Sequence, residues 1–258
     1  MTKMDKHTFK NEKKETNQIE GRNAVLEALK HGVPIDKVFI KKGEYSGSLR
    51  IIIAKAREAG VVVSETNKIK LDEISQSRNH QGVIAVCPVK EYADIQDIFD
   101  KAREKKEKPF VIILDSITDT YNLGAIIRSA DACGAHGVII PKRRAATMTG
   151  MVSKASAGAV EHVHVARVPN IAATVDYLKK RGIWIVCADV NGTEFYKARV
   201  DDAVALVIGG EGAGVGRLIK EKCDYVVKIP MYGAIPSLNA SVAAGVLMYE
   251  IVRQRRWK

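Results

Sequence analysis

The chain has 258 residues, 46% of them hydrophobic and 28% charged, which allows one large or two small domains of ordinary globular composition. No apolar run approaches the roughly 18 residues of a membrane span, and the polar first 20 residues lack the apolar core of a secretory signal. The formal net charge of +11 suits a polyanion partner, usually nucleic acid, and on charge alone a merely basic soluble enzyme fits about equally.

Residues 1–20 are mostly Lys, Glu, Asn and Thr and read as a flexible tail. Residues 21–90 alternate short helices and strands: helix from Gly21, strand at Val38, helix from Ser48 to Gly60, strand at Val61, helix at Lys68, strand from Val83 to Val89. This is a small α/β domain. His80 precedes its last strand in a polar loop, where a turn role and a ligand contact both fit. Residues 91–108 are expected as a charged linker helix closed by Pro109.

The remainder, 109–258, reads as a parallel sheet with helices on both faces. Phe110-Val111-Ile112-Ile113-Leu114 and Ala203-Val204-Ala205-Leu206-Val207-Ile208 are unbroken apolar runs, the mark of strands buried on both faces. Further strands are expected at 137–140, 163–168, 183–190 and 225–229. Polar loops follow the strand ends, the usual ligand edge of such a sheet. One loop carries Asn122, with Arg128 on the following helix. One is Lys142-Arg143-Arg144, a phosphate-contact candidate. One is Gly209-Gly210-Glu211-Gly212. The last is Ile229-Pro230-Met231, running to Ser237-Leu238-Asn239-Ala240-Ser241 at the mouth of a long helix. Ser237 is expected to cap that helix, leaving Asn239 in its first turn as a spare polar group.

The glycine loop fails the dinucleotide fingerprint: counted from Gly210 the third glycine falls on Val215, and from Gly212 on Arg217. No P-loop pattern occurs. Glu211 repels a phosphate and suits a cationic ligand, and a tight turn with an exposed acid fits it as well. The four cysteines, Cys87, Cys133, Cys187 and Cys223, are scattered without a CxxC pair and read as buried thiols. No residue set has metal spacing, His162 and His164 included.

Three segments carry a family resemblance. Asn122-Leu123-Gly124-Ala125-Ile126-Ile127-Arg128, Ile208-Gly209-Gly210-Glu211-Gly212, and Ile229-Pro230-Met231 with Ser237-Leu238-Asn239-Ala240-Ser241 resemble, in order and spacing, the three motifs of SpoU (TrmH-type) RNA ribose 2'-O-methyltransferases of the SPOUT superfamily. Gly21-Arg22-Asn23-Ala24-Val25-Leu26 and His80-Gln81-Gly82-Val83 resemble that family's substrate RNA-binding domain, and within the family the chain most resembles the bacterial 23S rRNA guanosine-2'-O-methyltransferases. The resemblance implies an α/β fold with a trefoil-knotted parallel-sheet domain, a homodimer in the cytoplasm, and S-adenosyl-L-methionine (AdoMet) as cofactor, with no metal and no membrane. It implies cofactor contacts at Gly209, Glu211, Ile229, Met231 and Leu238. It implies a catalytic set of Arg128, Asn122, Glu211, Ser237 and Asn239. RNA contacts are expected at Arg22, His80, Lys142, Arg143 and Arg144. A free-base role for Arg128 conflicts with a guanidinium pKa above about 12, so gripping the ribose and its phosphate is the role expected. Methylation of tRNA or another rRNA site, and a non-catalytic RNA-binding protein, stay open as alternatives.

Overall fold

The computed structural model describes residues 17–43 and 47–256. The first sheet has the order β1-β4-β2-β3, from Gln18–Glu20 (β1), Lys37–Lys41 (β2), Val62–Thr66 (β3) and Val83–Val86 (β4). β2 and β3 are parallel, whereas β4 runs antiparallel to both β1 and β2, so this sheet is mixed. Helices Arg22–Lys30 (α1) and Gly47–Glu58 (α2) cover one face, packing Val25, Leu29, Leu49 and Ile52 on Val38, Ile40, Val83 and Ala85. A third helix, Lys68–Ile74 (α3), leads toward β4.

The tail expectation needs correction at its end. Residues 1–16 lie outside the described residues, but Gln18–Glu20 pair with β4, and the Glu20 carboxylate accepts hydrogen bonds from Ser75 Oγ at 2.7 Å and Gln76 N at 2.6 Å. A three-residue strand is too short to show a pattern, and it takes its conformation from its partner.

The second sheet is all parallel with the order β10-β8-β9-β5-β6-β7. Its strands are Phe110–Asp115 (β5), Gly137–Pro141 (β6), His164–Val168 (β7), Trp184–Glu194 (β8), Val204–Gly209 (β9) and Tyr225–Lys228 (β10). The strand period of two divides β5 between two cores. Phe110, Ile112 and Leu114 face Thr120–Ala132 (α5), Gly150–Ala155 (α6) and Ala240–Arg256 (α9). Val111 and Ile113 face Ile95–Glu104 (α4), Ile171–Lys180 (α7) and Arg217–Lys222 (α8). The helix expected as a linker, α4, thus buries Ile98 and Phe99 against the sheet.

At the N-terminal edge of this sheet His136 is fully buried. Its Nδ1 accepts from Phe110 N at 2.9 Å, and its Nε2 faces Glu107 Oε2 at 3.2 Å without hydrogen-bond alignment. Burial lowers its pKa to about 4, outweighing the pull of Glu107, so the imidazole is neutral. Cys133 and Cys187 are buried, while Cys87 and Cys223 are half-buried rather than buried as expected; all four are free thiols.

Candidate active site

The C-terminal ends of β8, β9 and β10 open on one cleft of about 1070 Å³. Its lining includes Gly209, Gly210 and Glu211, then Ile229 and Met231, then Ser237, Leu238 and Asn239. Five residues assigned to the cofactor by resemblance therefore stand around one space. Segment 229–239 forms neither helix nor strand, so its backbone groups are available to a ligand.

The glycine loop is held from below. Gly210 N donates to Asp115 O, and Gly216 N to Asp115 Oδ2, both at 2.8 Å. The loop folds so tightly that a Cβ on Gly209 would sit 2.1 Å from Gly214 C, and one on Gly210 would sit 2.3 Å from Ser116 O. Only glycine fits these two places. Asp115, buried at the end of β5, was not singled out in the sequence, although an acid ending an apolar strand is a visible signal.

At the cleft mouth three motif side chains meet. Asn122 Nδ2 donates to Glu211 Oε1 at 3.0 Å, Asn239 Nδ2 donates to the same oxygen at 2.9 Å, and Asn239 Nδ2 also donates to Asn122 Oδ1 at 2.9 Å. The three residues are separated by up to 117 positions in sequence. Glu211 and Asn239 are exposed and Asn122 half-buried, so the ring is open to solvent.

Two local devices set the ring, and both correct an expectation. Asn122 belongs to the first turn of α5 rather than to the preceding loop. Asp119 caps that helix, accepting from Tyr121 N at 2.7 Å and Asn122 N at 2.9 Å. Asn239, not Ser237, is the residue that caps α9. Its Oδ1 accepts from Ser241 N at 2.9 Å and Ser241 Oγ at 2.6 Å while its Nδ2 serves the ring. One amide thus starts the helix with its oxygen and organises the cleft with its nitrogen. Ser237 lies exposed in the loop ahead of it.

The remaining expected site residues lie apart. Arg128 is exposed on α5 and does not line the cleft. Its neighbour Ser129 faces Gly245 of α9, whose helix shows an exposed apolar stripe of Val242, Val246 and Tyr249. Lys142, Arg143 and Arg144 are exposed after β6, on the same sheet edge as the cleft. In the first domain Arg22 Nε donates to Gln81 O at 3.0 Å. His80 is buried and fully engaged inside the protein: Nδ1 accepts from Gly82 N and Nε2 meets Asp72 Oδ1, each at 2.9 Å. Its ring shapes the turn before β4 and presents no nitrogen to a ligand. Among the described residues no group of three His, Cys, Asp or Glu is placed to hold a metal, and no helix is long and apolar enough to cross a membrane.

Comparison with known proteins bears on the same residues. Residues 109–249 match the SpoU rRNA Methylase family, and residues 18–93 match the family described as RNA 2'-O ribose methyltransferase substrate binding. A Bacillus subtilis relative named as a TrmH family tRNA/rRNA methyltransferase is 47% identical over 236 residues, 91% of this chain and 94% of the relative. A Staphylococcus aureus relative of the same name is 45% identical over 238 residues, 92% and 96% of the two chains. Among solved structures, the SpoU methyltransferase AviRb from Streptomyces viridochromogenes, in complex with AdoMet, aligns with a TM-score of 0.57 at 28% identity, covering 92% of this chain and 90% of its own. An AdoMet-bound rRNA methyltransferase from Sinorhizobium meliloti aligns with a TM-score of 0.57 at 25% identity, covering 93% and 88%. An α/β fold with a six-stranded parallel sheet, a polar ring joining all three motifs and family matches to both halves converge: the chain belongs to the SpoU rRNA Methylase family and is an RNA methyltransferase of the SpoU/TrmH type.

Proposed function

We propose that this protein transfers a methyl group from AdoMet to a ribose 2'-hydroxyl of RNA, and that the target is a guanosine of 23S rRNA. The observation that carries the reading is the ring of Asn122, Glu211 and Asn239 at the cleft mouth. The cleft fits the cofactor. Its volume lies just above the roughly 300–1,000 Å³ of small-molecule sites, with room for the cofactor and the reacting ribose. Ile229, Met231 and Leu238 offer apolar walls, the loop backbone offers donors and acceptors, and Glu211 suits a cation. Bound there, AdoMet supplies an electrophilic methyl on a cationic sulfur.

The protein's own work is alignment. Glu211 and the two asparagines hold α5, the glycine loop and the start of α9 in one relation, which shapes the wall facing the ribose. Ser237 adds a hydroxyl to the cleft lining. Arg128, permanently cationic, grips the ribose and its neighbouring phosphate and eases loss of the hydroxyl proton by holding that phosphate. Lys142, Arg143 and Arg144 take further phosphates along the sheet edge, with Arg22 contributing from the first domain. In this reading residues 21–90 grip folded RNA and residues 109–258 carry the transfer, in the cytoplasm.

Two further parts belong to the proposal. The enzyme acts as a homodimer, which the apolar stripe of α9 and the position of Arg128 outside its own cleft support: a second copy would cover the stripe and complete the site. The chain is knotted at its C-terminal end. After β10, at the sheet's outer edge, it passes through 229–239 and packs α9 against α5, back across β8 and β9.

Tritium transfer from labelled AdoMet to protein-free 23S rRNA, 16S rRNA and bulk tRNA tests the reading, with Arg128→Ala beside the wild type. Label in 23S rRNA at one alkali-resistant dinucleotide, absent with the variant, is the expected result. Label in tRNA instead would move the target, a reading that the tRNA/rRNA names of the relatives accommodate equally. No label in any RNA, with AdoMet binding intact, would sink methyl transfer to free RNA.

A further inference from the structure

Away from the cleft, a second polar cluster joins the two domains. Arg167, near the end of β7, reaches three segments at once. Its Nη1 pairs with Asp36 Oδ1 at 2.5 Å, and its Nη2 donates to Asp36 O and to Lys142 O, both at 3.1 Å. The Tyr92 hydroxyl donates to the other carboxylate oxygen of Asp36 at 2.9 Å and accepts from Met148 N at 3.3 Å. Its ring lies under the guanidinium, 5.2 Å from centroid to Cζ. The Asp36 side chain is 1% exposed and that of Arg167 12% exposed.

A buried pair of this kind is weak evidence of stabilisation, because desolvating two charges offsets most of their attraction. Burial already pushes the Asp36 carboxyl above its ordinary pKa despite the adjacent guanidinium. What the cluster adds is geometry. Asp36 belongs to the first domain, its N–H bonded to Val86 O of β4 at 2.8 Å. Lys142 opens the basic loop, its N–H bonded to Val168 O at 2.7 Å. A planar guanidinium can hold the carboxylate and both carbonyls together, whereas a lysine offers a point charge without that fork.

We propose that Arg167 is a positioning residue, holding the substrate-binding domain and the loop of Lys142, Arg143 and Arg144 in one arrangement so that RNA meets both surfaces in register. This rests on the RNA-methylation reading above. It adds a role for a residue that touches neither cleft nor motif.

Two variants test it in the full-length protein. Arg167→Lys keeps the charge opposite Asp36 and removes the fork. Asp36→Asn with Arg167→Gln removes both charges and keeps similar shapes. On whichever RNA the wild type labels, KM for RNA is expected to rise at least about tenfold in each, as misplacement of remote contacts does. kcat and the AdoMet Kd should hold within about twofold, since the cleft is untouched. Amide hydrogen exchange at Lys142 and Asp36 should accelerate in both variants.

Unchanged KM with unchanged exchange would overturn the proposal. So would equal losses in RNA KM, AdoMet affinity and Tm, the pattern of a general folding defect. If the wild type labels no RNA, the methylation reading falls by itself. Exchange at Lys142 and Asp36 then decides the pinning role, and protection equal to wild type in Arg167→Lys would end it.

Discussion

Two polar clusters of three side chains each, one at the cleft and one between the domains, are built on opposite terms. Asn122, Glu211 and Asn239 meet at an open cleft mouth, bonded to one another and exposed to water. Asp36, Arg167 and Tyr92 meet at the seam between domains, with the Asp36 carboxylate buried and its two partners half-buried, and they bond to backbone as well as to each other. An open ring keeps spare hydrogen-bonding capacity for an arriving ligand. A cluster built around a buried carboxylate directs its bonds inward and holds segments in place. Loss of a member should therefore appear as activity in the first and as stability or domain order in the second.

The strongest break of this contrast is Arg167→Gln, which leaves the Asp36 carboxylate buried without its cation. Urea unfolding at pH 7.5 should show a loss of about 3–5 kcal/mol, largely recovered by adding Asp36→Asn. Without the guanidinium, burial raises the Asp36 pKa further. The unfolded chain then releases this proton before the folded one does. The deficit should widen as pH rises through the folded pKa and narrow as pH falls. A loss under about 1 kcal/mol would mean the seam is wet.

The open ring gives the second test. Glu211→Ala should lower methyl transfer about 100-fold through misalignment, with little change in unfolding free energy. Glu211→Gln keeps an acceptor for both asparagines, so it separates geometry from charge. Retained transfer would assign the ring to alignment, and a selective loss of AdoMet affinity would assign Glu211 to the cation.

His136, sealed at the far edge of the sheet, extends the buried side of the contrast. Its pKa is lowered from 6.5 to about 4, so between those values the unfolded chain binds a proton that the folded chain refuses. Stability should fall by about 1–3 kcal/mol as pH drops through that window. His136→Asn, which retains an acceptor for Phe110 N, should lose that slope in pH-dependent denaturation.

The smallest effect belongs to Asn239, which serves both purposes. Asn239→Ala should cost about 1 kcal/mol from the lost cap of α9, together with activity. Asn239→Ser should return most of the stability without returning the activity. Recovery of both would detach the ring from function.

These tests also mark what the sequence disclosed. Phe110-Val111-Ile112-Ile113-Leu114 is unmistakable because a strand buried on both faces has no polar residue to hide it. The three motif segments were legible because unpaired polar residues follow strands, where folding has no use for them. The cap at Asn239 was misplaced by two residues because a proline-containing loop can run longer before its helix begins. The Asp36–Arg167 pair spans 131 positions, and no local period connects such residues. His80 looked like a loop ligand because sequence shows polarity but not that Asp72 and Gly82 already occupy both ring nitrogens.

The short strand β1 carries a practical consequence. A protein trimmed to begin at Gly21 would discard a segment that resembles an expendable tail. It would also uncover the β4 backbone that β1 pairs with, from Ile84 to Val86, and free Ser75 and Gln76 from Glu20. Apolar β4 would become an open edge, and such edges recruit strands from other molecules. The trimmed protein should therefore aggregate on concentration, whereas trimming to Asn17 should leave it dispersed.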